Sequence, residues 1–188
     1  MKKIGITGSL ASGKTTASKI ISEKRGPLFS ADIAVRKLYR IKGFKNKIKK
    51  KLKIKKDINI KNVLRKKILS DKSLLLKLEK IIHPLVRKEM KKFISKHRNK
   101  KFIFFEIPLL IENNLIKYFD IIIFIKAKKN LRLKRFILKG GDKNLFQILN
   151  NKQFNDQKKI RYCDYLVVNE KNLNILKRKL TGIMKKYE

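Results

Sequence analysis

Residues 2–16 read Lys-Lys-Ile-Gly-Ile-Thr-Gly-Ser-Leu-Ala-Ser-Gly-Lys-Thr-Thr, and Gly8 to Thr15 fit the spacing G-x-x-x-x-G-K-[ST] of a phosphate-binding loop. The flanks fit too. Ile4 to Thr7 are an apolar run of buried-strand length, and Thr15 to Glu23 read as a helix with Ala17, Ile20 and Ile21 facing inward. Strand, glycine loop and helix are what triphosphate binding requires. Glycines let backbone N–H groups wrap the phosphates, and the helix N-terminus adds positive potential. In that arrangement Lys14 reaches the β- and γ-phosphate oxygens and the Thr15 hydroxyl ligates Mg²⁺. The other reading, a chance glycine turn, leaves Gly8, Gly13, Lys14 and Thr15 unexplained together. The loop predicts nucleoside triphosphate binding.

With 188 residues, 43% of them hydrophobic, the chain is one domain-sized unit with a real core and room for a small subdomain. No apolar run approaches the roughly 18 residues of a membrane span. The N-terminus reads as a charged strand rather than a signal peptide. A single cysteine, Cys163, rules out an internal disulfide and suits a reducing cytosol. It reads as a small core residue rather than a catalytic thiol.

Further along, Gly26 to Ser30 read as a turn and a short second strand, followed by a helix from Ile33. Asp32 therefore falls near a strand's carboxyl end, where open α/β sheets bind ligands. It can serve as a catalytic acid–base group or as an ordinary helix N-cap, and position alone leaves both open. Residues 41–56 are lysine-dominated and predict a solvated, partly mobile segment, with a short helix open at Gly43-Phe44. Helical patterns follow over Ile60–Lys67 and Asp71–Ile82, the latter with Leu74, Leu75, Leu78, Ile81 and Ile82 on a wide apolar face. His83-Pro84 predicts an interruption before a further helix to about His97, and a His before Pro reads first as a helix-break residue.

Lys101 to Pro108 form an apolar strand ending in Glu106, a carboxylate placed to hold Mg²⁺ through water opposite Thr15. Pro108 predicts the start of a short helix carrying Glu112. Asp120 to Ile125 is another buried strand, and Asn130 to Lys139 a basic helix with Arg132, Lys134 and Arg135. Gly140-Gly141 breaks it, and Asp142 predicts a cap for a helix through Gln153. Basic residues beside a Gly-Gly hinge suit a mobile lid over phosphates, or a solvated helix face. A last strand at Tyr165–Asn169 and a helix at Leu173–Tyr187 close the chain. Five strands alternating with helices predict an α/β fold with a parallel sheet covered on both faces.

Several separated motifs together resemble the dephospho-coenzyme A kinase family over nearly the full length. They are the loop itself, Ser30-Ala31-Asp32 before a helix with Ala34 and Arg36, and Ile81-Ile82-His83-Pro84-Leu85-Val86. Glu106-Ile107-Pro108-Leu109-Leu110-Ile111-Glu112 follows, then Gln153, Arg161, Asp164 and Asn169. The resemblance implies a P-loop five-stranded core (1–40, 100–127, 162–188), a helical substrate block (about 41–99) and a lid (about 128–161). It implies transfer of the ATP γ-phosphate to the ribose 3′-hydroxyl of dephospho-coenzyme A, the last step of coenzyme A synthesis, with Mg²⁺.

In this resemblance Asp32 and Lys14 are catalytic. Ser9, Leu10, Ala11, Ser12, Gly13, Lys14, Thr15 and Thr16 contact ATP, and Asp32, His83, Pro108 and Leu109 contact the acceptor. Arg132, Arg135 and Lys139 serve the lid, and Thr15 and Glu106 the metal. A cytoplasmic monomer or small homo-oligomer, without membrane or specific nucleic-acid partners, is implied. Three residues depart from the family pattern: Ser30 for Asp, and Lys61 and Lys139 where Arg is usual, lysine lacking the bidentate fork. A kinase of nucleoside monophosphates or another small metabolite shares the loop but does not predict His83-Pro84 or Pro108-Leu-Leu-x-Glu112. A GTPase would carry Asn-Lys-x-Asp, whereas Asn151-Lys152 is followed by Gln153-Phe154.

Lys+Arg 52 against Asp+Glu 14 gives a net charge of +38, a value that in one patch would mark a nucleic-acid binder. Here the excess runs along the whole chain, beside heavy use of Ile and Asn, as AT-rich codons produce. Aromatics interleaved with Arg, the mark of a single-strand groove, are missing. Binding to DNA is therefore expected only at low salt, declining by orders of magnitude between roughly 50 and 200 mM salt in a filter-binding titration. Tight, sequence-selective binding at physiological salt would contradict this.

Overall fold

The computed structural model describes residues 1–51 and 72–188. Short apolar runs become strands: β1 (Lys2–Gly8), β2 (Leu28–Ser30), β3 (Phe102–Glu106), β4 (Ile121–Lys126) and β5 (Tyr165–Val168). All pair in parallel, in the order β2-β3-β1-β4-β5. β1, β3 and β4 are buried nearly end to end, as parallel strands covered on both faces must be. The register aligns their carboxyl ends. Ile6 stands opposite Glu106 on one side and Ile123 on the other, and Ser30 also stands opposite Glu106. The loop after β1 thus leaves the middle of that edge, the usual ligand position of such sheets.

The helices are α1 (Lys14–Ser22), α2 (Ala31–Leu38), α3 (Lys42–Lys51), α4 (Lys72–Lys96), α5 (Lys129–Leu138), α6 (Lys143–Asn151), α7 (Asp156–Ile160) and α8 (Leu173–Met184). The chain divides into two compact units, Met1–Ser30 with Ile94–Glu188, and Ala31–Phe93. In the first, Ile4, Ile6, Phe104, Ile121, Ile123 and Val167 of the sheet meet Ala17 and Ile21 of α1 and Leu176, Leu180 and Met184 of α8 in one buried cluster. In the second, Phe44 and Ile48 of α3 pack with Leu74 and Leu78 of α4.

Several expectations change. Of the two readings of the lysine-rich segment the helical one holds, over Lys42–Lys51, because Phe44 and Ile48, one turn apart, give it an apolar anchor. His83-Pro84 does not interrupt α4, which runs unbroken with Pro84 inside it. Residues on both sides of the proline are packed: Leu74, Leu78, Ile81, Ile82 and Leu85 join one cluster and Met90 is buried, which offsets one missing backbone hydrogen bond. Pro108 starts a series of turns through Asn114 rather than a helix. Asp32 lies in the first turn of α2 and is not the residue capping it. Asp142 caps α6 as expected, accepting from Leu145 N at 2.8 Å, but α6 stops at Asn151 and α7 follows as a separate turn. The expected helix at 60–67, Lys61 and the Leu75 side chain lie outside the described residues.

Phe104 is fully buried in β3 between β1 and β2. Phe104→Ala is expected to lower stability by about 3–5 kcal/mol, read from urea unfolding.

Candidate active site

The loop from Ser9 to Gly13 is shaped by two left-handed residues, Ala11 at φ 58° and Gly13 at φ 93°. At Gly13 the conformation and the space both demand glycine, since a Cβ would stand 2.1 Å from the Asn169 amide nitrogen. Ser12 N donates to Ser9 O at 3.1 Å, closing the loop. Lys14 opens α1, is buried, and donates from Nζ to Ser9 O at 3.3 Å. Thr15 and Thr16, the next two residues, are exposed.

Thr15 Oγ1 donates to Glu106 Oε1, across 91 residues of chain. The strand register explains the meeting, because β3 ends beside β1 just where the loop begins. Glu106 is 2% exposed, a carboxylate at the end of a wholly apolar strand. A hydroxyl and a carboxylate side by side are the hard oxygen donors Mg²⁺ prefers, with water and phosphate completing its shell. No group of three or more His, Cys, Asp or Glu among the described residues could hold a metal by itself.

The rest of the loop is braced by side chains from residues 132–169. Arg132 is buried; its Nε donates to Ala127 O at 3.2 Å and its Nη1 to Leu10 O at 3.2 Å and Asn150 Oδ1 at 2.8 Å. Burial lowers its pKa, and the Asp156 carboxylate opposes that shift. Arg135 donates to Ser12 O at 3.3 Å and Asn169 O at 3.1 Å, and Asn169 Nδ2 donates to Ser12 O at 2.9 Å. Leu10 N donates to Gln153 Oε1 at 3.0 Å, and Ser9 Oγ to Asp156 Oδ1. Two of the three expected lid residues thus hold the loop itself, whereas Lys139, just past the end of α5, is exposed.

Thr7 Oγ1 donates to Pro108 O at 3.2 Å, fixing the turn that carries Pro108 and Leu109 at the end of β3. Asp32 and His83 lie in the other unit, Asp32 exposed at the start of α2 and His83 half-buried in α4. Cys163 has its thiol pushed up to about 12, mainly by burial and further by Asp164, with Lys159 opposing.

The residues not anticipated as part of the site are Asn150, Gln153, Asp156 and Asn169. Gln153 and Asn169 stand in the family pattern, so a signal existed for them. Asn150 and Asp156 carried none.

Gly13→Ala places a Cβ in both the disfavoured conformation and the space of Asn169. It is expected to cost about 1–3 kcal/mol of stability in urea unfolding and to abolish ATP binding measured by calorimetry.

No helix among the described residues is long and apolar enough to cross a membrane. Residues 2–174 match the family model for dephospho-CoA kinase. A dephospho-CoA kinase from Rickettsia typhi is 32% identical over 189 residues, covering 100% of this chain and 98% of its own. Two solved structures share the fold at 23% identity each. TT1252 from Thermus thermophilus has a TM-score of 0.78 over 100% of this chain and 98% of its own. Dephospho-CoA kinase from Campylobacter jejuni has a TM-score of 0.66 over 98% and 96%. Loop, sheet order and full-length sequence match agree, and the chain belongs to the dephospho-CoA kinase family.

Proposed function

We propose that Asp32 and Lys14 carry the family reaction in this chain, the ATP-dependent phosphorylation of dephospho-coenzyme A at its ribose 3′-hydroxyl. The carrying observation is the phosphate loop at the sheet's carboxyl edge, with Lys14 on Ser9 O and Thr15 on Glu106. Ser9 to Thr16 seat the triphosphate through the start of α1 and those loop N–H groups that the protein does not already bond, as it does Leu10 N and Ser12 N. Asp32 orients the acceptor hydroxyl, whose oxygen attacks the γ-phosphorus while the bond to the ADP oxygen breaks. The hydroxyl proton passes to the Asp32 carboxylate late in the transfer. Lys14 offsets charge on the transferring group, and Lys139 adds a cation from a lid formed by about 128–161. Arg132 and Arg135 keep the loop in shape for this.

Thr15 and Glu106, directly or through water, are the residues suited to Mg²⁺. An ion held there would offset negative charge on the triphosphate. His83, Pro108 and Leu109 contact the acceptor in this reading, which gives the helical block (about 41–99) the substrate and residues 1–40, 100–127 and 162–188 the core role. The setting is the cytoplasm, as a monomer or small homo-oligomer, with no specific nucleic-acid role for the net charge.

An assay offering dephospho-coenzyme A beside a panel of nucleoside monophosphates tests the substrate, and preference for a monophosphate would overturn it. Asp32→Asn decides the role of the carboxylate. It keeps an acceptor but removes the charge, and turnover is expected to drop roughly 10²-fold or more with folding and ATP binding retained. Near-normal turnover would remove Asp32 from the chemistry. Lys14→Ala is expected to abolish transfer with little loss of stability, which a thermal melt beside the assay measures.

A further inference from the structure

Lys159 is one of 52 basic residues, yet it is 0% exposed. Its Nζ lies 2.7 Å from Glu112 Oε1 and donates to Gln153 Oε1 at 3.3 Å. The same Gln153 oxygen accepts from Leu10 N of the phosphate loop at 3.0 Å. Glu112 Oε1 also accepts from Phe154 N at 3.1 Å, tying the pair to the chain beside Gln153.

Burying an ammonium costs several kcal/mol of hydration, and one carboxylate does not fully repay it. An apolar side chain would fill the same volume at lower cost, so stability alone does not account for a lysine here. What an ammonium provides is a donor that cannot become an acceptor. Gln153 faces two obligatory donors, Lys159 Nζ and Leu10 N, and only its carbonyl oxygen satisfies both. Without Lys159, Leu10 N alone holds the amide oxygen, and the side chain of Gln153 loses the second donor that fixes it in place.

We propose that Lys159 is a positioning residue of the phosphate loop. Acting through Gln153, with the half-buried Glu112 as its counter-ion, it fixes the amide orientation that holds Leu10. The effect is on ATP binding, and the inference rests on the assignment of this loop to ATP, not on the identity of the acceptor.

The test is a double-mutant cycle read as ATP affinity by calorimetry, with thermal melts run in parallel. Lys159→Met and Gln153→Met conserve volume and remove the donor and the acceptor in turn. Each is expected to weaken ATP binding about tenfold, the scale of one lost charge-assisted hydrogen bond. Because Lys159 acts through Gln153, Lys159→Met in the Gln153→Met background is expected to add no further loss. A purely structural lysine lowers the melting temperature but leaves affinity unchanged, or costs the same factor in both backgrounds, and either result overturns the proposal. If Lys159→Met does not fold, the cycle is run with Glu112→Gln/Lys159→Met, which removes both charges and keeps an acceptor for Phe154 N. Failure of the wild type to bind ATP would overturn the loop assignment as well. ATP binding with no activity on dephospho-coenzyme A would refute only the acceptor.

Discussion

The hydrogen bonding of β1 on both edges is the constraint on which the structure depends. β3 and β4 pair with it in parallel, and Ile4 and Ile6 are wholly buried between the covering layers. A strand fixed this way leaves no freedom in where its loop begins. The loop carries one strained residue, left-handed Ala11, beside a left-handed Gly13 that bears no such cost, and a strained conformation persists only where surroundings over-determine it. The surroundings here are Asn169 and Arg135 on Ser12 O, Arg132 on Leu10 O and Gln153 on Leu10 N. Several backbone groups of the loop are thus satisfied by side chains of the protein itself.

The same arrangement separates two kinds of basic residue. Most lysines among the described residues are exposed, and their sum sets long-range attraction for anions. Lys14, Arg132 and Lys159 are buried and each has named oxygen partners. An ammonium or guanidinium taken from water must be paired closely, so these positions are specified by their acceptors. Arg132 meets three acceptors with its planar fork, which a lysine could not match. Net charge therefore says little about this protein, and the location of a few charges says much.

The second unit is built on weaker local signals. α3 is almost all lysine, and its helix is anchored by Phe44 and Ile48 against Leu74 and Leu78. Like charges along its surface oppose the helix, and burial of these apolar groups, at roughly 1.5–3 kcal/mol each, outweighs that repulsion. Pro84 within α4 follows the same logic, because packing on either side exceeds the cost of one backbone bond. Local propensity loses to tertiary contact in both helices.

The sequence alone determined the phosphate loop, the five apolar strands and the parallel α/β class, because the spacing of glycines and the length of apolar runs are local properties. It also carried the motifs that mark the family. It did not reveal that α4 passes through Pro84 or that residues 108–114 only turn, and it left the helix at 42–51 as one of two readings. Those outcomes depend on neighbours brought from elsewhere in the chain. The same holds for the site. Lys14 and Thr15 were legible from spacing, and Glu106 from its place at a strand end. The side chains that hold the loop were not, since Gln153 reaches Leu10 across 143 residues and Asn169 reaches Ser12 across 157. Which of many similar lysines is buried, and against which oxygen, is a property of distance in space, and only the folded chain sets that distance.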